Sequence, residues 1–454
     1  MKSPLPAPVL RTGLGSLLLL ATAALAQAPL TLTDAIRATL ANSEEARLID
    51  EKSSKLEAQR SELWAGALPS LQGYANAGRG HQPISTESFP IKDTTGMIPS
   101  LYSVTQNTFS YGVQATQPLF SFGRLNQAFH TASKQIGSQN AANRRARQEL
   151  ELQALDGFYG VVLAEARLKV LAASLERQSR TVDFLESNFR RGAGSRSTLL
   201  LTQSSLKALE PQRIRAEQDA LAARMAFNRL TGHSVLDPVT LDTTSLPEFS
   251  IPAGDTSEAS VERVLERRPD LEALRLQTEA LRGYARAYRM QYLPALAAQG
   301  KLGVLAYQFD KQLTDFDNNL EWQVGVGLSW PLFDGLANSA KARQYDSDAR
   351  TLALSERQAH AYARIQLEGA RREVVAADTA LSAAQQARDA AAEAADLIGR
   401  DFRAGAGQVT DLLSAEEGLR NAELGLLAAR YQNTRARAAL RVSLGLDLIE
   451  GASK

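Results

Sequence analysis

The 454-residue chain has no cysteine. Disulfides, thiol catalysis, Cys-ligated metals and an N-terminal lipid-modified Cys are therefore all excluded. Histidine is scarce as well. His81, His130, His233 and His360 stand alone, at spacings that match no ligand motif such as HExxH, and read as surface or packing residues. No metal or cofactor is expected. Neither sign of charge dominates, with 51 Lys+Arg against 50 Asp+Glu. A nucleic-acid surface needs a basic excess, so no nucleic-acid partner is expected. No catalytic constellation is present either, which points to a non-enzymatic protein. Long apolar runs are missing beyond the first 26 residues. Leu14–Leu25, preceded by Lys2 and Arg11 and closed by Ala24-Leu25-Ala26, is too short to span and reads as a signal peptide over 1–26. No later stretch approaches 18 apolar residues, so the mature chain does not cross a membrane as helices. Periplasm, secretion or an outer-membrane barrel remain.

What is present is a heptad-spaced helix that occurs twice. Val161, Ala164, Leu168, Leu171, Leu175, Val182, Leu185 and Phe189 fall at alternating steps of three and four, with only Gln178 polar. The run closes at Phe189-Arg-Arg-Gly-Ala-Gly194. At an offset of 213, Leu367, Ala370, Val374, Ala377, Leu381, Ala384, Ala391, Ala395, Ile398 and Phe402 keep the phase, with Arg388 the intruder. Phe402-Arg-Ala-Gly-Ala-Gly407 closes that run. A 3.5-residue apolar repeat keeps one seam facing a neighbour and supercoils helices left-handedly. Two seams with one phase and one terminator indicate an internal two-fold repeat.

The expected organisation is a first repeat over 27–232, a Pro- and Thr-rich connector over 233–256, a second repeat over 257–445 and a tail over 446–454. Thr31 to Leu63 reads as one helix with Thr33 as its N-cap. Leu71, Gly73, Ala75 and Ala77, and then Phe109, Tyr111, Val113 and Ala115, alternate with polar residues and predict a strand pair. The breaker-rich His81–Ser100 between them predicts no element. Gly123 to Arg190 predicts one helix about 100 Å long. Ser197 to Leu230 predicts a returning helix kinked at Pro211. In the second half, Ser257 to Met290 reads as one helix containing Arg-Pro-Asp-Leu (268–271). A strand opens at Leu293-Pro294-Ala295 and another runs from Leu320 to Trp330. Trp322, Val324, Val326, Leu328 and Trp330 share the apolar face of that last strand. Its two Trp stand about 26 Å apart, close to the band between aromatic girdles of a membrane barrel. The opposite face is Gly, Ser and Gln, as a water-filled lumen requires. A soluble sheet is the competing reading.

Together the Arg-Pro-Asp-Leu, the Pro-Leu-Phe strand ends (118–120 and 331–333) and the two Phe-x-x-Gly-x-Gly tips resemble the TolC-type outer-membrane efflux family. So does the order helix, strand pair, long helix, tip, returning helix, repeated. The resemblance implies an α+β membrane protein: a homotrimer with a twelve-stranded outer-membrane β-barrel, four strands per protomer, continued by a periplasmic α-helical coiled-coil barrel. It implies an exit duct of a tripartite efflux or type I secretion system in a Gram-negative cell, docked to a periplasmic adaptor and an inner-membrane transporter. Gly192, Gly194, Gly405 and Gly407 would then be adaptor-docking tips as well as turn glycines of positive φ. Asp411, Ser414, Thr198 and Phe402 would lie at the periplasmic aperture. Relatives carry acids just after the second tip. Asp411 fills one such place, Ser414 replaces the next, and Thr198 stands at the counterpart after the first tip. A tip Tyr and Arg that help lock the archetype appear as Phe402 and Gly407. Arg190, Arg191, Arg196, Arg400 and Arg403 read as solvated ends or docking charges. A soluble periplasmic coiled-coil adaptor is the main alternative. A trimeric autotransporter anchor also builds a barrel from four strands per protomer, but it lacks the duplication.

Overall fold

The computed structural model describes residues 29–84, 102–242, 249, 258–307 and 319–449. The segment expected to be a signal peptide, 1–26, lies outside them, as do much of the connector and the last residues of the tail.

Two expected helices are divided by their own capping chemistry. The chain opens with α1 (Leu32–Asn42) and α2 (Glu44–Ala65), not one helix. Thr31, rather than Thr33, caps α1: its hydroxyl accepts from the Asp34 N–H at 3.2 Å and donates to the Asp34 carboxylate at 2.6 Å. Ser43 then caps α2 through the Ala46 N–H at 3.0 Å. A side-chain oxygen accepting an orphan N–H is what starts a helix, and a second such residue restarts it. The second half divides likewise into α5 (Glu258–Arg267) and α6 (Pro269–Arg289). Proline forces the residue before it out of helical geometry, and Arg268 sits at φ −62°, ψ 129°.

Between α2 and α5 run β1 (Ser70–Ile84), β2 (Tyr102–Phe120), α3 (Arg124–Arg190) and α4 (Arg196–Thr231). After α6 come β3 (Ala295–Ala306), β4 (Leu320–Ser329), α7 (Ala337–Arg403) and α8 (Val409–Ser443). β1 reaches Ile84, so it enters the stretch expected to hold no element, while β2 starts at Tyr102, just beyond it. Pro83 pairs with Ser103 inside the ladder. Proline is tolerated there because β1 is an edge strand. α4 continues through Pro211 without interruption.

α3 and α7 each have 67 residues, about 100 Å of helix, and start and end 213 positions apart. Each is entered through two successive left-handed residues, Phe122 and Gly123 before α3, Gly335 and Leu336 before α7. The strands form one antiparallel sheet in the order β1-β2-β3-β4, so β1 and β4 are both open edges. The helices run from one end of that sheet. Near the middle of α3 an apolar core gathers Leu32, Ile36, Leu155, Phe158, Phe227 and Leu448. A second core holds Leu265, Leu271, Leu367, Leu440 and Leu444. Beside the second, Arg268 is 1% exposed. Its guanidinium grips the Asp270 carboxylate through Nε at 3.1 Å and Nη2 at 2.7 Å. It also donates to the Ser443 carbonyl and to Gln366, each at 3.2 Å. Burial pushes the Asp270 carboxyl up, but the bonds and charge of Arg268 hold it below its usual range.

Candidate functional site

The heptad seam is the inner face of the helical body. Val161, Leu171, Val182 and Leu185 are buried on α3, and Leu367, Val374 and Ala377 on α7. At the far end the two helix ends close alike. Ala193 N–H reaches the Asn188 carbonyl, and Ala406 N–H reaches that of Asp401, both at 2.9 Å. These are the 6→1 bonds of a Schellman turn, which needs a left-handed residue just before. Gly192 (φ 76°) and Gly405 (φ 80°) supply it. Gly194 and Gly407 do not have the expected positive φ. Instead they pass close to the backbone of Phe189 and Phe402, where a Cβ would come within 3.2 and 3.0 Å.

α8 begins beyond the second tip with Asp411 in its first turn, where a negative charge complements the helix dipole. Asp411 and Ser414 are exposed and Thr198 is half-buried. The two tips are neighbours, since Phe402 packs edge-on against Phe184 of α3 at 6.1 Å. Four of the tip arginines bond to their own helices: Arg190 to Glu186, Arg191 to Asn188, Arg400 to Asp396 and Arg403 to the Gly399 carbonyl.

Just inside the tips lies a cavity of about 460 Å³, lined by Arg177, Phe184, Phe402, Leu412 and Glu416. Its polar lining was not anticipated. Glu416 Oε2 and Arg177 Nε and Nη2 are buried without a hydrogen-bond partner among the described residues, as is Gln178 Oε1 one position along. Burial pushes the Glu416 carboxyl up, and the Arg177 charge pulls it part of the way back. The one sign of this cluster in the chain is Gln178 itself, the polar intruder in the first seam.

At the other end, register sorts the sheet into two faces. Leu71, Ala115, Gly300 and Val324 stand in one row, and Gly73, Val113, Leu302 and Trp322 in the next. Between them run Gln72, Gln114, Lys301 and Gln323. One face is thus apolar across all four strands and the other polar, because side chains alternate with period two. Trp322 and Val324 are 69% and 78% exposed on the apolar side, and Val326, Leu328 and Trp330 are exposed with them. On the polar side Lys301 pairs with Glu321 at 3.1 Å and sits over the Tyr74 ring. The paired glycines Gly112 and Gly303 let β2 and β3 close in on that side under Tyr74. A Cβ on either would strike the opposite backbone and the Tyr74 hydroxyl. Trp330 lies one residue past the end of β4, its indole N–H bonded to the Tyr292 carbonyl at 3.0 Å.

A two-faced sheet with an exposed apolar side, set on a 100 Å helical body, defines a membrane channel rather than an enzyme. The chain belongs to the outer membrane efflux protein family, whose model matches residues 35–233 and 260–446. It is an outer-membrane exit duct with a periplasmic helical extension. Among curated relatives it is 26% identical over 347 residues to the alkaline protease secretion protein AprF of Pseudomonas aeruginosa, an alignment covering 73% of this chain and 68% of that one. It is 27% identical over 275 residues to the fusaric acid resistance protein FusA of Burkholderia cepacia, covering 59% of this chain and 49% of the relative. Among solved structures, the outer-membrane channel OprN superposes with a TM-score of 0.74 at 21% identity, over 92% of this chain and 90% of that one.

Proposed function

We propose that three copies of this chain form one duct. The observation that carries this is the sheet: one apolar face, one polar face, and open edges at β1 and β4. Four strands are too few to close, and bacterial barrels start at eight. Pairing β4 of one copy with β1 of the next is a head-to-tail contact, which generates a ring. The family resemblance makes the ring a trimer and the barrel twelve-stranded. In that barrel Trp322, Val324, Val326, Leu328 and Trp330 face lipid, and Gln72, Gln114, Lys301 and Gln323 face the lumen.

The helices arise from a duplicated unit, in line with the common offset of 213. At the far end the tips around Gly192, Gly194, Gly405 and Gly407 receive a periplasmic adaptor, which couples the duct to an inner-membrane transporter. Phe402, Asp411, Ser414 and Thr198 border the aperture. Three Asp411 carboxylates around a narrow, water-filled opening form a cation-attracting ring. Two relatives carry names that refer to protein secretion and to resistance to a small acid, and the duct serves export of one of these kinds.

The test is export by a cell whose only copy carries Ala193→Trp with Ala406→Trp, two exposed positions beside the tip glycines. The bulky side chains should leave assembly and membrane insertion intact and abolish export. Full export would reduce the tips to turns.

A further inference from the structure

At the middle of α3 the second half of the chain is fastened onto the first by a short segment that follows α8. Gly445, at φ 76°, turns the chain back, and residues 445–448 lie along α3. Two α3 side chains one turn apart hold this segment. Gln148 Nε2 donates to the Gly445 carbonyl at 2.9 Å and to Asp447 Oδ1 at 3.1 Å. The Leu448 N–H donates to Glu151 Oε2 at 2.6 Å. The Leu448 side chain enters the core with Leu32, Phe158 and Phe227.

Glu151 is 2% exposed, an unusual setting for a carboxylate with no cation bonded to it among the described contacts. Beside it, Gln148 Oε1 is buried and accepts nothing among the described residues. An ionised Glu151 offers that atom only another acceptor. A protonated Glu151 keeps one oxygen for Leu448 and presents a donor on the face that Gln148 shares. The nearby charges do not neutralise it. Asp447, on the held segment, opposes ionisation; Arg441 of α8 favours it, although its Nε is bonded to the Asp447 carbonyl. Arg145 of α3 donates to the Val442 carbonyl and pairs with Glu149. Arg268 and Asp270 at the head of α6 satisfy each other, as do Arg229 of α4 with Glu45 of α2 and the exposed Asp34 and Arg37 of α1.

We propose that Glu151 is a proton-operated latch: the neutral acid clamps residues 445–448 against α3, and the ionised form loosens them. Burial supports the direction by pushing the Glu151 carboxyl from 4.5 up to about 7, against the pull of the Leu448 N–H. Once the segment lifts and water enters, the group returns toward its ordinary value. A group whose value is raised by docking stabilises the docked state fully below the undocked value and loses that stabilisation as pH rises through the docked one. The joint between the halves is therefore tightest in acid and loosens between about pH 4.5 and 7.

The test is amide hydrogen exchange of the C-terminal peptide in the detergent-solubilised full chain from pH 5 to 8.5, corrected for the intrinsic rate. Wild-type protection should fall with rising pH by up to about 300-fold, the ratio implied by the two values. Glu151→Gln should be protected at every pH and show no transition. Asp447→Asn keeps an acceptor for Gln148 but removes the charge that opposes ionisation, so its transition should move to lower pH. Asp447→Asn also serves if Glu151→Gln fails to assemble. A flat wild-type profile, an unchanged transition in Glu151→Gln, or an unmoved midpoint in Asp447→Asn would overturn the latch.

Discussion

α3 and α7 have the same length, the same phase of apolar residues and the same terminating turn, yet they occupy different surroundings. Seventeen residues of α3 are buried and only six of α7. α3 is covered by α1, α2, α4, α6 and α8, whereas α7 packs mainly on α6 and α8, with smaller contacts to α5 and, at the tip, to Phe184 of α3. Among the polar side chains that α7 exposes stand large apolar ones, Leu354, Tyr362, Ile365, Val375 and Leu397. On the other flank α4 exposes Leu200, Leu201, Ile214 and Leu221. A contiguous exposed apolar face marks an interaction surface. The helical body thus carries open apolar flanks in the same way that the sheet carries open edges. An element's length and termini follow from its own residues, while its burial depends on what is placed beside it.

The largest effect should come from removing what holds α7 inward. Arg268 links Asp270, Gln366 of α7 and the end of α8. Arg268→Met leaves Asp270 half-buried without its partner and should cost about 3–5 kcal/mol, read as a lowered Tm of the detergent-solubilised protein. An unchanged Tm would mean that α7 is held by packing alone.

The sheet permits a sharper contrast. Val326→Arg places a charge on the apolar face and should cost about 2–4 kcal/mol at the bilayer midplane, seen as loss of outer-membrane yield. Gln323→Arg, on the polar face, should insert normally. Equal yields from the two variants would refute the assignment of faces.

Neighbouring positions on α7 make the same comparison within one helix. Val374 is 8% exposed and Val375 is 67% exposed. Val374→Asp should damage the protomer itself. Val375→Asp should leave helix content intact by circular dichroism but weaken assembly, because an unpaired carboxylate would be buried between copies. A fully assembled Val375→Asp would leave the outer face of α7 to solvent.

The smallest effect distinguishes the two helix entries. Both need two left-handed residues, and each half places its glycine at a different one, leaving Phe122 and Leu336 in a conformation that costs a side-chain-bearing residue about 1–2 kcal/mol. Leu336→Gly should raise stability by about 1 kcal/mol. No gain would mean that Leu336 recovers the cost through its contacts.

Much of this architecture was legible in the residues because it depends on local rules. The long helices follow from period and terminator, and the strand faces from alternation. The divided helices were missed because Ser43 and Arg268 keep the helical pattern, and only cap geometry or the following proline interrupts it. β1 ran past its expected end because an edge strand accepts Pro83. Of the four tip glycines, two provide left-handed turns and two provide close approach, a difference set by three-dimensional packing. Arg268, Glu151 and Glu416 were invisible as buried groups, since a lone charge in a polar stretch reads as solvated until its surroundings are known.

The claim that copies close into a ring is tested most directly by joining the flanks. The chain has no cysteine, so a Leu200→Cys, Leu397→Cys double variant carries only the two thiols under test. Leu200 lies near the start of α4 and Leu397 near the end of α7, both close to the tips and both exposed in a single copy. A short bis-maleimide added to outer membranes should link α4 of one copy to α7 of the next and give a covalent species of three chains. A product confined to single chains, or one that extends without limit, would contradict the ring.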